Sequence, residues 1–234
     1  MMRVRVRPGF GIVVGLMLTV AACGGSGSAG TSISFGTRDG FQLAAGEFGD
    51  GPRGIVLAHA GGGDRRSWDS FAKTLAGQGF HVVAFDFRGH GQSSGQPSPD
   101  RADRDVVAAV EFLLTRGATR VVLVGASMGG LACLEAAANG DLAAPVVAGI
   151  ATLSAPVEFV GLKLSSNVST ILAPKLYMAA EGDGDAATAA EILLRLTSEP
   201  RSLVTYPGSA TGVALLSLAA ARDELARFVA GALP

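Results

Sequence analysis

Short apolar runs alternate along this chain with longer stretches in which apolar positions recur at helical spacing. The short runs are "GIVLAH" (54–59), "HVVAFDF" (81–87), "RVVLVG" (120–125), "PVVAGIATL" (145–153), "KLYMAA" (175–180) and "SLVTYP" (202–207). Segments of helical period lie near 67–77, 100–116, 128–139, 184–197 and 213–231. This alternation predicts βαβ units and a mainly parallel sheet, whose strands are continuous in hydrophobicity because helices cover both faces. Ahead of them, "SISFGTRDGFQLAAGEF" (32–48) places two stretches around Asp39-Gly40, a dipeptide that favours a tight hairpin and so adds two antiparallel strands. The segment between Pro156 and Pro174 is short, with room for one helix at most.

The first residues follow a different pattern. Arg3, Arg5 and Arg7 precede an uncharged run from Pro8 to Ala22, the layout of a secretory signal. That run ends in Val20-Ala21-Ala22-Cys23, which resembles the lipobox of bacterial lipoproteins and implies cleavage before Cys23 and lipidation of its thiol. The expected organisation is a signal over residues 1–22, a Gly/Ser-rich flexible tether over 23–31 and one domain over 32–234. The expected location is the extracytoplasmic face of a cell membrane, through a lipid anchor.

Charge narrows the possible partners. With 19 Lys+Arg against 20 Asp+Glu, the net charge is −1, and no basic patch for nucleic acid is evident. Once Cys23 is lipidated, Cys133 is the remaining cysteine of the 2, so no internal disulfide is expected and Cys133 reads as a small buried helix residue. Three separated histidines without a carboxylate cluster indicate neither a metal site nor a cofactor.

The chemistry concentrates in "VVLVGASMGGLACLEAA". Here Gly125-Ala126-Ser127-Met128-Gly129 forms a G-x-S-x-G pattern directly after an apolar run and directly before a helical one. Small residues beside the serine permit a sharp, strained strand-to-helix turn that lifts its hydroxyl clear of the sheet. The start of the following helix adds partial positive charge where an oxyanion would develop.

With "LAHAGGGDRRSW", "FDFRGHGQSSG", "GASMGG" and "PKLYMAAEGD" in this order, the chain from about Ser32 onward resembles the α/β-hydrolase family in its compact bacterial form. The resemblance implies an α/β-hydrolase fold: a mainly parallel eight-stranded sheet, helices on both faces, and a minimal cap or none. It implies Ser127 as nucleophile, with the backbone N–H groups of Gly61 and Met128 as oxyanion hole. Asp86 and Arg88 would fasten their turn, leaving His90 structural, and His59 would orient the glycine loop. His81 opens a strand and should lie far from the site.

Ungapped matching places the triad acid at Asp183, with Asp185 as a shifted alternative; a helix N-cap is the non-catalytic role open to either. The family's last landmark is a histidine in the loop after the final strand, and in "YPGSATGVALL" that slot holds Thr211. A threonine hydroxyl does not take up and return a proton near neutral pH as an imidazole does. Two functions remain open. One is an esterase- or lipase-type serine hydrolase acting on small acyl esters, impaired or served by a base from elsewhere such as His59. The other is an inactive, lipid-anchored pseudohydrolase that binds or scaffolds. The short 157–173 segment predicts an open site.

Overall fold

A computed structural model describes residues 30–142 and 145–234. The signal, most of the tether and Cys23 lie outside the described residues. β1 (Thr31–Gly36) begins one residue inside the stretch expected to be tether. It pairs antiparallel with β2 (Gln42–Phe48) across the Asp39-Gly40 turn, in which Gly40 takes φ 91° and its N–H reaches the Thr37 carbonyl.

Six parallel strands follow: β3 (Arg53–Ala58), β4 (His81–Phe85), β5 (Arg120–Ala126), β6 (Val147–Leu153), and later β9 (Lys175–Ala180) and β10 (Arg201–Tyr206). The eight-stranded sheet runs β1-β2-β4-β3-β5-β6-β9-β10. Side chains alternate across it, which explains why these strands read as continuous apolar runs. Val121 and Leu123 of β5 face one layer, built by α2 (Ala102–Thr115), α3 (Met128–Ala138) and α4 (Gly184–Leu196). Val122 and Val124 face the other, built by α1 (Asp69–Gly77) and α5 (Ala219–Ala232).

Two segments differ from the reading of the sequence. The stretch expected as one helix near 213–231 is a 3-10 turn, Gly212–Ser217, then an extended Leu218, then α5. Arg222 donates to the carbonyls of Leu216 and Ser217 and so satisfies the backbone groups that this break exposes. Residues 157–173 contain a two-stranded ribbon, β7 (Glu158–Phe159) and β8 (Leu162–Lys163), followed by a 3-10 turn at Ser166–Thr170.

At the start of β9, Lys175 is buried, and its ammonium donates to the Ile171 carbonyl at 2.6 Å. Burial, reinforced by repulsion from Arg201, lowers its pKa to about 8. Between pH 8 and the ordinary lysine value of 10.5, the unfolded chain holds a proton that the folded chain has released, so this group makes stability rise with pH across that window. Lys175→Met should therefore raise stability at pH 7, by at most about 3 kcal/mol, and remove that rise. Ser198 Oγ also donates to Ile171 O, at 2.7 Å, so the carbonyl keeps a partner. Urea denaturation at pH 7 and pH 10 checks this, and a variant less stable at pH 7 contradicts it.

Candidate active site

Strand β5 ends at Ala126, and the chain turns at Ser127 with φ 49° and ψ −119°. A serine at positive φ is strained, and the surrounding packing must hold it there. The Ser127 N–H donates to Leu153 O at 2.9 Å, fixing the elbow to the end of β6. Its carbonyl accepts from Gly130 and Leu131, while its hydroxyl does not cap α3. Close approach explains the flanking glycines: a Cβ at Gly125 would overlap the Gly129 backbone, and one at Gly129 would overlap the carbonyls of Ala58 and His59.

That second contact sets the start of α3 against the loop after β3. As the first residue of α3, Met128 has an N–H without an intrahelical acceptor. In the facing loop, Gly63 N–H closes a turn onto Ala60 O at 3.0 Å, and among the described residues the Gly61 N–H has no backbone acceptor. The ring of Phe159, on the ribbon β7–β8, packs against Gly61 so closely that a Cβ there would overlap it. The ribbon thus walls the oxyanion loop on the Gly61 side, while Gly62 and Gly63 stay exposed.

His59 is fully buried and both its ring nitrogens are engaged. Nε2 accepts from Phe87 N–H at 3.0 Å, which places the proton on Nδ1, 2.8 Å from Ala60 O. Burial pushes its pKa below the ordinary histidine value, so the ring is neutral. His59 orients the loop and is not free to serve as a base, which removes it as the alternative proton acceptor. His90 stands over it with ring centroids 5.3 Å apart, and its Nδ1 lies 3.0 Å from Arg88 O. His81 is held in the core, 2.8 Å from Glu47 Oε1.

The loop from Asp86 to Ser94 is fastened as expected. Asp86 accepts from the backbone N–H groups of Arg65 (2.7 Å) and Gln92 (3.0 Å) and pairs with the Arg65 guanidinium. Arg88, 1% exposed, bonds Asp105 at 2.7 and 2.9 Å and Asp39 at 2.8 and 3.1 Å. Burial opposes its charge, but the hydrogen bonds to these carboxylates outweigh burial and hold its pKa above the usual arginine value.

Asp183 stands where the chain leaves β9 for α4. Its side chain makes no capping bond to α4, and its Oδ2 is buried with no hydrogen-bond partner among the described residues. Asp185 sits in the first turn of α4 and is exposed. Gly182 N–H donates to Gly208 O at 2.8 Å, joining the Asp183 loop to the loop that carries Thr211. Thr211 is exposed and makes no capping bond to the turn that follows it. Gly212 N–H donates to Ser154 Oγ at 3.0 Å, and a Cβ on Gly212 would lie 3.5 Å from that of Ala126. The fold therefore brings the loops of Ser127, Asp183 and Thr211 together at one end of the sheet. Cys133 is buried in α3, where burial pushes its thiol pKa up, and among the described residues no group of three His, Cys, Asp or Glu side chains could hold a metal.

The sequence model described as "Alpha/beta hydrolase family" matches residues 55–233, from β3 to the end of α5. The chain belongs to the alpha/beta hydrolase family. This hydrolase is similar to Uncharacterized protein Rv2307c of Mycobacterium tuberculosis, 29% identical over 202 residues, covering 77% of this chain and 72% of the relative. It also resembles the Quorum-quenching protein AidA of Acinetobacter baumannii, 31% identical over 143 residues, covering 53% of this chain and 47% of that protein. Among solved structures, the Pyrococcus furiosus esterase Pf2001 superposes with a TM-score of 0.73 at 16% identity, covering 88% of this chain and 91% of the esterase. The esterase EaEST of Exiguobacterium antarcticum gives 0.74 at 15% identity, covering 85% and 99%.

Two residues of the hydrolase site had no sequence signal. Ser154 follows β6 at φ 55° in the plain run "TLSAP", and its role as acceptor for Gly212 arises from residues 58 positions apart. Phe159 belongs to a two-residue strand too short to show a period, and it meets Gly61 only in the folded molecule.

Proposed function

We propose that this hydrolase is an esterase-type serine hydrolase for small acyl esters whose turnover is held down by Thr211. The observation that carries the reading is Asp183 Oδ2, a buried carboxylate oxygen without a partner among the described residues, in a loop hydrogen-bonded to the loop of Thr211. A histidine at position 211 would give that oxygen its donor. Ser127 is the nucleophile, and the N–H groups of Gly61 and Met128 stabilise the tetrahedral oxyanion. The esterases of similar fold support the ester class.

Loss of the base in a well-studied serine protease costs on the order of 10⁶ in turnover and leaves about 10³–10⁴ over water, through binding and the oxyanion hole. Saturable hydrolysis of p-nitrophenyl acetate at roughly 10³–10⁴ times the uncatalysed rate is expected for this chain. Absence of any saturable hydrolysis selects the second reading, a pseudohydrolase that binds or scaffolds, which is favoured by the engagement of both His59 nitrogens.

The Cys23 lipid anchor belongs to the same proposal: it would hold the domain at the outer face of the cell membrane by a flexible tether. Cys23→Ala should move the protein from the membrane fraction to the soluble one. Unchanged membrane retention refutes the anchor.

A further inference from the structure

We propose that this site takes esters whose acyl group carries its own basic nitrogen, an imidazole or an amine, and that this nitrogen does the work of the histidine position 211 lacks. The inference rests on the assignment of Ser127, Asp183 and Thr211 above. Three observations support it. Asp183 Oδ2 is buried without a partner among the described residues, so an N–H donor placed there gains a charge-assisted bond, and a buried acceptor gains its satisfaction. The loops on either side are fixed, by Gly182 N–H to Gly208 O at 2.8 Å and by Gly212 N–H to Ser154 Oγ at 3.0 Å, so the acid is held and does not collapse onto another donor. His59 does not supply the missing base, because both its nitrogens are engaged.

The reaction needs the substrate and one water. The neutral substrate nitrogen takes the Ser127 hydroxyl proton as Oγ bonds the acyl carbon, and the resulting cation pairs with Asp183. As the tetrahedral intermediate collapses, the C–O bond to the alcohol breaks and that oxygen receives the proton, so the nitrogen is neutral again. Because the nitrogen belongs to the acyl group, it remains for the second half. It takes a proton from water as water attacks the acyl-enzyme, and it returns that proton to Ser127 Oγ when the acid leaves. A nitrogen on the alcohol would depart before that half. The group must also carry an N–H for Asp183, which imidazole and primary or secondary amines do and tertiary amines do not.

The experiment compares paired ethyl esters, 3-(imidazol-4-yl)propanoate against 3-phenylpropanoate, on the full chain, its Thr211→His variant and its Asp183→Asn variant. A titration of free imidazole is run alongside, reading the rate of fluorophosphonate adduct formation at Ser127 by intact mass. The wild type should prefer the imidazolyl ester by at least about 10²-fold, the usual range for a positioned base. The preference should shrink to near unity in Thr211→His, where the protein supplies the base, and fall in Asp183→Asn. Imidazole should accelerate wild-type labelling with saturation and leave Thr211→His unchanged.

Equal turnover of the two esters, a preference undiminished in Thr211→His, or an acceleration that is linear in imidazole and the same in both proteins overturns the inference. If Thr211→His gains activity while the wild type shows no imidazole effect, the inference fails and the site assignment stands. If Thr211→His gains nothing and imidazole has no effect, the site assignment itself fails.

Discussion

Thr211→His should raise kcat for p-nitrophenyl acetate by about 10²–10⁴-fold, the contribution of a positioned acid–base group, with less effect on KM. The imidazole would stand in the loop that Gly212 ties to Ser154 and that Gly208 ties to Gly182, beside the buried oxygen of Asp183. Its pH profile should acquire a limb near the pKa of histidine, absent from the wild type. Triad members act as a unit, so the effect of Ser127→Ala should depend on the background. In the wild type, where the serine lacks a base, the substitution should cost little. In Thr211→His it should remove the whole gain. Steady-state kinetics on the four proteins gives this coupling directly, and additive effects would mean that positions 127 and 211 do not share a site.

The second large effect is on stability. Arg88→Met should destabilise the fold by about 3–5 kcal/mol, because it leaves the fully buried Asp105 without its cation. For a domain of this size that corresponds to a fall in Tm of roughly 6–20 °C. The double variant Arg88→Met/Asp105→Leu removes the two fully buried charges, leaves Asp39 to Arg104 at 3.5 Å, and should recover part of the loss. The consequence extends to the site, since Phe87, next in the chain, donates to His59 Nε2 and so helps set the oxyanion loop. Thermal denaturation of the two variants checks the prediction. A single variant within 1 °C of wild type, by the same size relation about a few tenths of a kcal/mol, would show that the pair contributes nothing.

The parts of this molecule that were legible in its sequence are those with local causes. The strands β3 to β6, β9 and β10 lie in apolar runs because both faces of the sheet are covered. The β1–β2 turn falls on Asp39-Gly40, and the Ser127 elbow falls between glycines whose missing side chains permit close approach. What the chain alone did not reveal depends on distant contacts. The engagement of His59 becomes visible only when Phe87 is brought to its ring, 28 residues along. The break before α5 falls in a segment of uniform helical period, and the carbonyls it exposes at Leu216 and Ser217 are taken up by the Arg222 guanidinium. The ribbon β7–β8, with two residues in each strand, is below the length at which alternation can be read, yet it places Phe159 over Gly61. Ungapped matching favours Asp183 over Asp185; Asp185 is exposed, and Asp183 Oδ2 is buried with no hydrogen-bond partner among the described residues, a difference of environment that the sequence does not carry.

We propose that Ser127, Asp183 and the oxyanion groups form a site complete but for a base at position 211. The most direct test of this proposal is the second-order rate constant for fluorophosphonate labelling of Ser127, followed by intact mass in wild type, Thr211→His and Ser127→Ala. The wild type should label slowly, Thr211→His at least about 10²-fold faster, and Ser127→Ala not at all. Wild-type labelling as fast as that of Thr211→His would contradict the proposal, since Ser127 would then already have its base.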